Sequence, residues 1–182
     1  NLELAAGQGA STTWVLSNHD VVRHATRYGL GEEQTQIQGK VVTDTRFTVD
    51  LPNIGREWIR RGGPQHEEDI EIGLARARAA SLLTLALPGS AYVYQGEELG
   101  LREVADIPRE ARQDPTFVRS YGADYGRDGC RVPIPWTANG PSFGFSSGVA
   151  HLPQPIWFGH LAVSVQSGDE HSTLELYRRA LR

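Results

Sequence analysis

The chain has 182 residues, a formal net charge of −4 and a single cysteine, Cys130, which is length enough for a domain with its own core. No run of 18 apolar residues occurs, so a membrane span is not expected, and no signal-peptide pattern stands at the N-terminus; one cysteine excludes an internal disulfide framework or a multi-cysteine metal site. All but one of the 18 basic residues are arginines, scattered and outnumbered by 22 acids, so a nucleic-acid partner is not expected.

The chain starts at Asn1 and contains no methionine, which predicts a processed or partial chain. Residues 1–11 are small and polar and lead into a first strand over Thr12–Ser17. The apolar run Trp14-Val15-Leu16 ends abruptly in Ser17-Asn18-His19-Asp20, the pattern of a buried parallel strand whose C-terminal end opens into a cleft. In a β/α barrel that end carries the catalytic residues. Residues 24–65 are polar and glycine-rich, a long excursion with a helical turn near Arg56–Arg61. Helical character is then strong. Acids over 67–69 suit a helix N-terminus, Ile70, Leu74 and Ala77 follow at spacings of four and three, and Pro88-Gly89 stops the run. Tyr92-Val93-Tyr94-Gln95 follows as a second apolar strand over Ala91–Gln95, ending in Gly96-Glu97-Glu98. Strand, long helix, short turn and strand predict a βαβ unit with parallel strands. Residues 99–158 carry Pro108, Pro115, Pro133, Pro135, Pro141, Pro153 and Pro155, which prevent any long helix and predict an elaborated loop. Thr173–Arg182 is a closing helix.

Taken singly, the polar stretches have two readings each. Asn18-His19-Asp20 suits charge stabilisation or proton transfer, and it also suits a plain turn. Glu97 and Glu98, after the second strand, read as solvated or salt-bridged loop residues as readily as catalysts. Gly126-Arg127-Asp128-Gly129-Cys130-Arg131-Val132-Pro133-Ile134-Pro135-Trp136 is more unusual. An arginine fork can hold vicinal sugar hydroxyls or a carboxylate, and an Arg127–Asp128 loop staple is the plainer reading. Trp136 suits stacking on a sugar ring or anchoring the loop. Cys130 reads as a small packed residue, since no helix N-terminus or paired base is evident to lower its pKa. The six histidines show no ligand spacing for a catalytic zinc, and no glycine-rich phosphate loop follows either strand.

In combination and in this order, Asn18-His19-Asp20, Tyr94-Gln95-Gly96-Glu97-Glu98-Leu99-Gly100 and Arg127-Asp128…Arg131-Val132-Pro133…Trp136 closely resemble the α-amylase family of glycoside hydrolases (family 13), in its exo-acting α-glucosidase and oligo-1,6-glucosidase branch. The resemblance covers residues 13–182 and is weakest over 30–65. It implies an α/β fold, part of a TIM (β/α)8 barrel. Residues 1–182 would be the C-terminal portion of the catalytic barrel, truncated at both ends, with its seventh and eighth β/α units and long loop excursions at 24–65 and 99–158.

By the same resemblance Asp20 is the third catalytic carboxylate, a transition-state stabiliser that binds the glucose hydroxyls at the cleavage point. Asn18, His19 and Arg131 bind substrate, with Arg131 holding the outermost hydroxyls of the terminal glucose, while Glu97 and Glu98 take structural roles. The nucleophile and acid/base of a retaining enzyme, with carboxyl groups about 5–5.5 Å apart, lie before the seventh strand in the family and hence not in this chain, which is not expected to catalyse alone. The implied parent is an α-glucosidase that releases terminal α-linked glucose from short oligosaccharides with retention, in the cytoplasm, with no cofactor and no membrane partner. A structural calcium in the parent is left open. Two alternatives fit the same residues: a sucrose- or trehalose-type isomerase or transglucosylase of the same fold, and a non-catalytic barrel relative acting as a binding subunit. Retention of Asp20, His19 and Arg131 together speaks against the second.

Overall fold

The structure, a computed structural model, describes Glu3, Gly7, Gly9 and residues 11–30, 36–37, 40–41, 51–63 and 68–182. In chain order these hold β1 (Thr13–Val15), α1 (His24–Arg27), β2 (Gln36–Ile37), β3 (Lys40–Val41), α2 (Leu51–Arg60), α3 (Ile70–Ala86), β4 (Ser90–Tyr92), α4 (Pro115–Arg119), α5 (Val163–Gln166) and α6 (Thr173–Ala180), with short 3-10 turns between. β1 and β4 pair in parallel, with Thr13 opposite Ser90, Trp14 opposite Ala91 and Val15 opposite Tyr92. The expected parallel neighbours are therefore present, shorter than the apolar runs suggest because pairing stops where Leu16 and Val93 leave the ladder. The Trp14 indole N–H ties the pair to the Pro88 carbonyl at 2.9 Å. β2 and β3 pair antiparallel inside the stretch read as an excursion.

α3 is the long helix of the βαβ unit. Its 17 residues span about 26 Å. Asp69 caps it, its side chain accepting from the Ile72 N–H at 2.9 Å, which satisfies one orphan donor of the first turn. His66 and Glu67, part of the expected start, lie outside the described residues. The buried stripe of α3 is made of small residues, Gly73, Ala77 and Ser81, because α1 crosses it closely. A Cβ on Gly73 would stand 2.4 Å from the Ala25 carbonyl oxygen. Ser81 Oγ meets the Tyr177 hydroxyl at 2.6 Å, joining α3 to α6. Ile70, Ile72, Leu82 and Leu83 stay exposed.

The first strand departs from the expectation of burial. Val15 and Tyr92 are each about half exposed, because each strand has one neighbour and, among the described residues, nothing covers the outer side of the pair. The main core lies instead in the stretch read as an elaborated loop. Leu99, Leu101, Val104, Ile107, Val132, Ile134, Leu152 and Phe158 pack with Leu174 of α6. The prolines do exclude long helices there, since the stretch holds only the five-residue α4 and 3-10 turns, yet irregular backbone buries apolar side chains as well as a helix does. A second cluster joins Val22 and Leu30 to Ile54, Trp58 and Ile59 of α2, so the helical turn expected near Arg56–Arg61 is part of a longer helix with a buried face. In α6, capped by Ser172, Leu174 and Tyr177 face inward, and Leu181 just past its end is exposed.

Candidate active site

The chain leaves β1 through Leu16 and Ser17 and turns at Asn18, whose side-chain oxygen accepts the Asp20 N–H at 2.8 Å. This Asx turn aims the Asp20 side chain, 48% exposed, away from the core. Two guanidinium groups converge on one oxygen of it. Arg127 Nη1 donates to Asp20 Oδ1 at 2.8 Å and Arg131 Nη2 donates to the same atom at 3.2 Å. The Arg131 Nε–H also donates to the His19 carbonyl at 2.8 Å. On the other side, His19 Nε2 stands 3.4 Å from Asp20 Oδ2. Asp20, His19 and Arg131, more than a hundred positions apart in the chain, thus share one polar cluster beyond the C-terminal end of β1, with Asn18 beneath it. The Arg127 hydrogen bond holds the Asp20 carboxyl below its ordinary range, burial opposes this slightly, and His19 and Arg131 reinforce it.

The residue the sequence did not single out is Asp114. Its side chain is fully buried. Oδ2 accepts from Arg127 Nε at 2.7 Å and from the Arg127 backbone N–H at 2.9 Å, while Oδ1 accepts from the Thr116 N–H at 2.8 Å. Gly126 makes room for it, with φ at +69° and a would-be Cβ 2.6 Å from the Asp114 Cβ. Burial would raise the Asp114 carboxyl, but the Arg127 pair and the Thr116 donors outweigh it and the group titrates far below the usual carboxylate range. Arg127 is correspondingly raised, chiefly by Asp114. The Arg127–Asp128 staple does not form. Asp128 is buried and accepts instead from the backbone N–H groups of Gln113 and Asp114, at 2.8 and 3.0 Å.

Behind the cluster lies a buried network. Arg23, almost wholly enclosed, donates to the Gln95 carbonyl at 2.7 Å and the Cys130 carbonyl at 2.9 Å, and its backbone N–H goes to Glu103 Oε2 at 3.0 Å. One side chain therefore fastens the turn after β1 to the segments after β4 and around Cys130. Arg27 similarly holds the Val22 and Leu16 carbonyls. Glu97 is not the solvated loop residue it resembles: its side chain is 3% exposed and its Oε1 lies 3.8 Å from His24 Nδ1. That oxygen has no hydrogen-bond partner among the described residues. Burial pushes Glu97 up to about 7, and burial with the neighbouring Arg27 and Arg23 charges pushes His24 down to about 3. Glu98 Oε2 accepts the Gly96 N–H at 2.8 Å, a turn-closing role. Cys130 is buried and its thiol pushed well above the ordinary range by that burial. Trp136 is half exposed. Among the described residues no group of three or more His, Cys, Asp or Glu could hold a metal ion, and no helix is long and apolar enough to cross a membrane.

Arranged this way, the cluster offers carboxylate acceptors, guanidinium donors and an imidazole on one exposed face, the set that hydroxyl groups of a sugar need. The chain as a whole is similar to known proteins in sequence and in fold. Residues 59–182, more than half of the chain, match the family model described as alpha amylase, catalytic domain. A probable alpha-glucosidase of Rhizobium meliloti is 36% identical over 170 residues, covering 92% of this chain and 23% of that protein. The oligo-1,6-glucosidase IMA3 of Saccharomyces cerevisiae is 31% identical over 77% of this chain and 27% of its own length. Among solved structures, the alpha-glucosyl transfer enzyme XgtA superposes with a TM-score of 0.63 at 33% identity, covering 97% of this chain and 27% of that one. The trehalulose synthase MutB matches in fold with a TM-score of 0.63 at 22% identity, over 97% and 28%. The chain spans about a quarter of the length of the curated relatives it matches, and over that span its sequence match and its fold agree: it belongs to the α-amylase family of glycoside hydrolases (family 13), whose catalytic domain is a TIM barrel.

Proposed function

We propose that this chain supplies the seventh and eighth β/α units of a (β/α)8 barrel in a retaining α-glucosidase that removes terminal α-linked glucose from short oligosaccharides. The observation that carries the reading is the Asp20 carboxylate, half exposed beyond the C-terminal end of a parallel strand and gripped on one oxygen by Arg127 and Arg131. In this reading Asp20 is the transition-state stabiliser. As the glycosidic bond breaks, the ring takes on oxocarbenium character and its hydroxyl hydrogens become more acidic, so a fixed, ionised acceptor binds them more tightly than in the ground state. Asn18 sets the turn that presents Asp20, His19 donates to the same sugar from an exposed ring, and Arg131 reaches the outer hydroxyls of a terminal glucose. The nucleophile and the acid/base are assigned to residues outside this chain, and no cofactor is called for. The half-exposed faces of β1 and β4 support further strands on either side. A single unpaired cysteine suits a cytoplasmic enzyme.

A second reading keeps the site and changes the acceptor. XgtA, an alpha-glucosyl transfer enzyme at 33% identity over nearly the whole chain, favours transfer of the glucosyl group to a sugar rather than to water. One experiment addresses both. In a complete enzyme carrying these residues, Asp20→Asn is expected to lower kcat on p-nitrophenyl α-glucoside by about 100-fold or more, the loss of ~3 kcal/mol of transition-state binding, with the melting temperature unchanged. Near-normal turnover in that variant overturns the assignment. Product analysis with excess maltose separates the two readings, since transfer yields longer oligosaccharides and hydrolysis yields glucose alone.

A further inference from the structure

We infer that Arg127, seated on the buried Asp114, is a positioning residue that locks one oxygen of Asp20 and leaves the other, Oδ2, as the oxygen offered to substrate. The inference rests on the reading of Asp20 given above and extends it to residues that do not touch the sugar.

The geometry is a relay anchored in the interior. Asp128, buried, accepts the Asp114 N–H at 3.0 Å and so fixes the backbone at the start of α4. Asp114 caps that helix through Oδ1 and holds Arg127 with both oxygens, Oδ2 taking the Nε–H and the backbone N–H and Oδ1 taking Nη2 at 3.3 Å. The far nitrogen of Arg127 then reaches Asp20 Oδ1 at 2.8 Å. A guanidinium is planar and rigid, so fixing its Nε edge fixes the direction of its Nη1–H bond. Arg131 adds a second donor to the same Oδ1. That oxygen is thus occupied twice by charge-assisted bonds, and Oδ2 meets only the exposed His19 ring at 3.4 Å. A free carboxylate rotates between equivalent oxygens; this one does not. The consequence is a preset acceptor direction before any sugar arrives, with less rotamer freedom left to lose on binding.

The test uses a complete enzyme carrying these residues, with Arg127→Ala, Arg127→Lys and Asp20→Asn variants assayed on p-nitrophenyl α-glucoside. Arg127→Ala is expected to lower kcat by about 100-fold, as sub-ångström misplacement does, with KM within about threefold of the wild type. Its acid-side pH limb moves upward, because the donor that keeps Asp20 ionised is gone. Added guanidinium ion restores part of the lost rate. Arg127→Lys stays impaired, since one ammonium cannot span both carboxylates. Turnover of Arg127→Ala close to wild type overturns the proposal. So does a loss that tracks a fall in melting temperature, with no movement of the pH limb and no rescue by guanidinium. Asp20→Asn keeps the two ideas apart: if it remains active the role of Asp20 itself is wrong, and if it is inactive while Arg127→Ala is active only the positioning role fails.

Discussion

Glu97 gives the sharpest quantitative expectation. Its carboxyl is enclosed among His24, Arg23, Arg27, Glu98 and the Tyr177 hydroxyl, and burial lifts it from an ordinary 4.5 to about 7. A carboxyl whose folded-state value lies above its unfolded one is bound to its proton more tightly in the fold. Its contribution is therefore complete below pH 4.5 and is lost as pH rises through 7. The difference between the two values corresponds to about 3 kcal/mol at 1.36 kcal/mol per unit. Glu103, also pushed to about 7 by burial, acts in the same window. His24 acts in the opposite sense: held neutral by burial down to about 3, it contributes above its unfolded value of 6.5 and loses that contribution as pH falls. Comparing Glu97→Gln with the wild type cancels both neighbours. The amide keeps the shape and never ionises, so the variant should match the wild type near pH 4.5 and exceed it by about 3 kcal/mol at pH 8. Urea denaturation of a complete enzyme carrying these residues, run at half-unit pH steps, reads that difference directly. A difference that stays flat from pH 4.5 to 8 refutes the reasoning, because the buried carboxyl would then not be titrating in the fold.

Three further outcomes follow from packing. Phe158→Ala, at a side chain with no exposed surface, should cost about 3–5 kcal/mol in the same denaturation assay. Gly73→Ala, normally favourable in a helix, should instead cost about 1–3 kcal/mol, since the new methyl meets the Ala25 carbonyl at 2.4 Å and α1 must move away from α3; an equal or higher denaturation midpoint would show the crossing to be looser. Asp69→Ala removes the cap of α3 and should cost about 1 kcal/mol, visible as earlier amide exchange in the first turn of that helix.

The βαβ unit was legible in the sequence because its signals are local: an apolar run, a helical stretch opening on acids with apolar residues at spacings of four and three, and Pro88-Gly89 as a stop. Strand ends were less so, since hydrogen-bond pairing ends before the apolar run does. The convergence of Asn18, His19, Asp20 and Arg131 came from motif order, which no local rule supplies. Asp114 was missed for a physical reason. An aspartate before Pro115 reads as a helix cap, which it is, and a side chain with two oxygens can cap with one and still grip Arg127 with both. The burial of Glu97, though not its structural role, was hidden from the sequence. Charged pairs after a strand are most often solvated, and only the closure of α1 and α6 over it, through His24 and Tyr177, removes it from water. The core over 99–158 escaped a reading based on periodicity because 3-10 turns and extended segments bury side chains without a fixed period.

The reach of Arg23 sets an order of events. Its bonds to the Gln95 and Cys130 carbonyls close loops of 72 and 107 residues, and the Arg127 contact to Asp20 closes another of 107. Closing loops of that size is entropically costly before any contact returns the cost, whereas α3 and α6 need only neighbours in sequence. During refolding the helices therefore form early and the cluster around Asp20 is among the last features to close. In a complete enzyme carrying these residues, recovery of turnover on p-nitrophenyl α-glucoside should lag recovery of helical circular dichroism, and simultaneous recovery of the two would show that these long-range contacts do not close late.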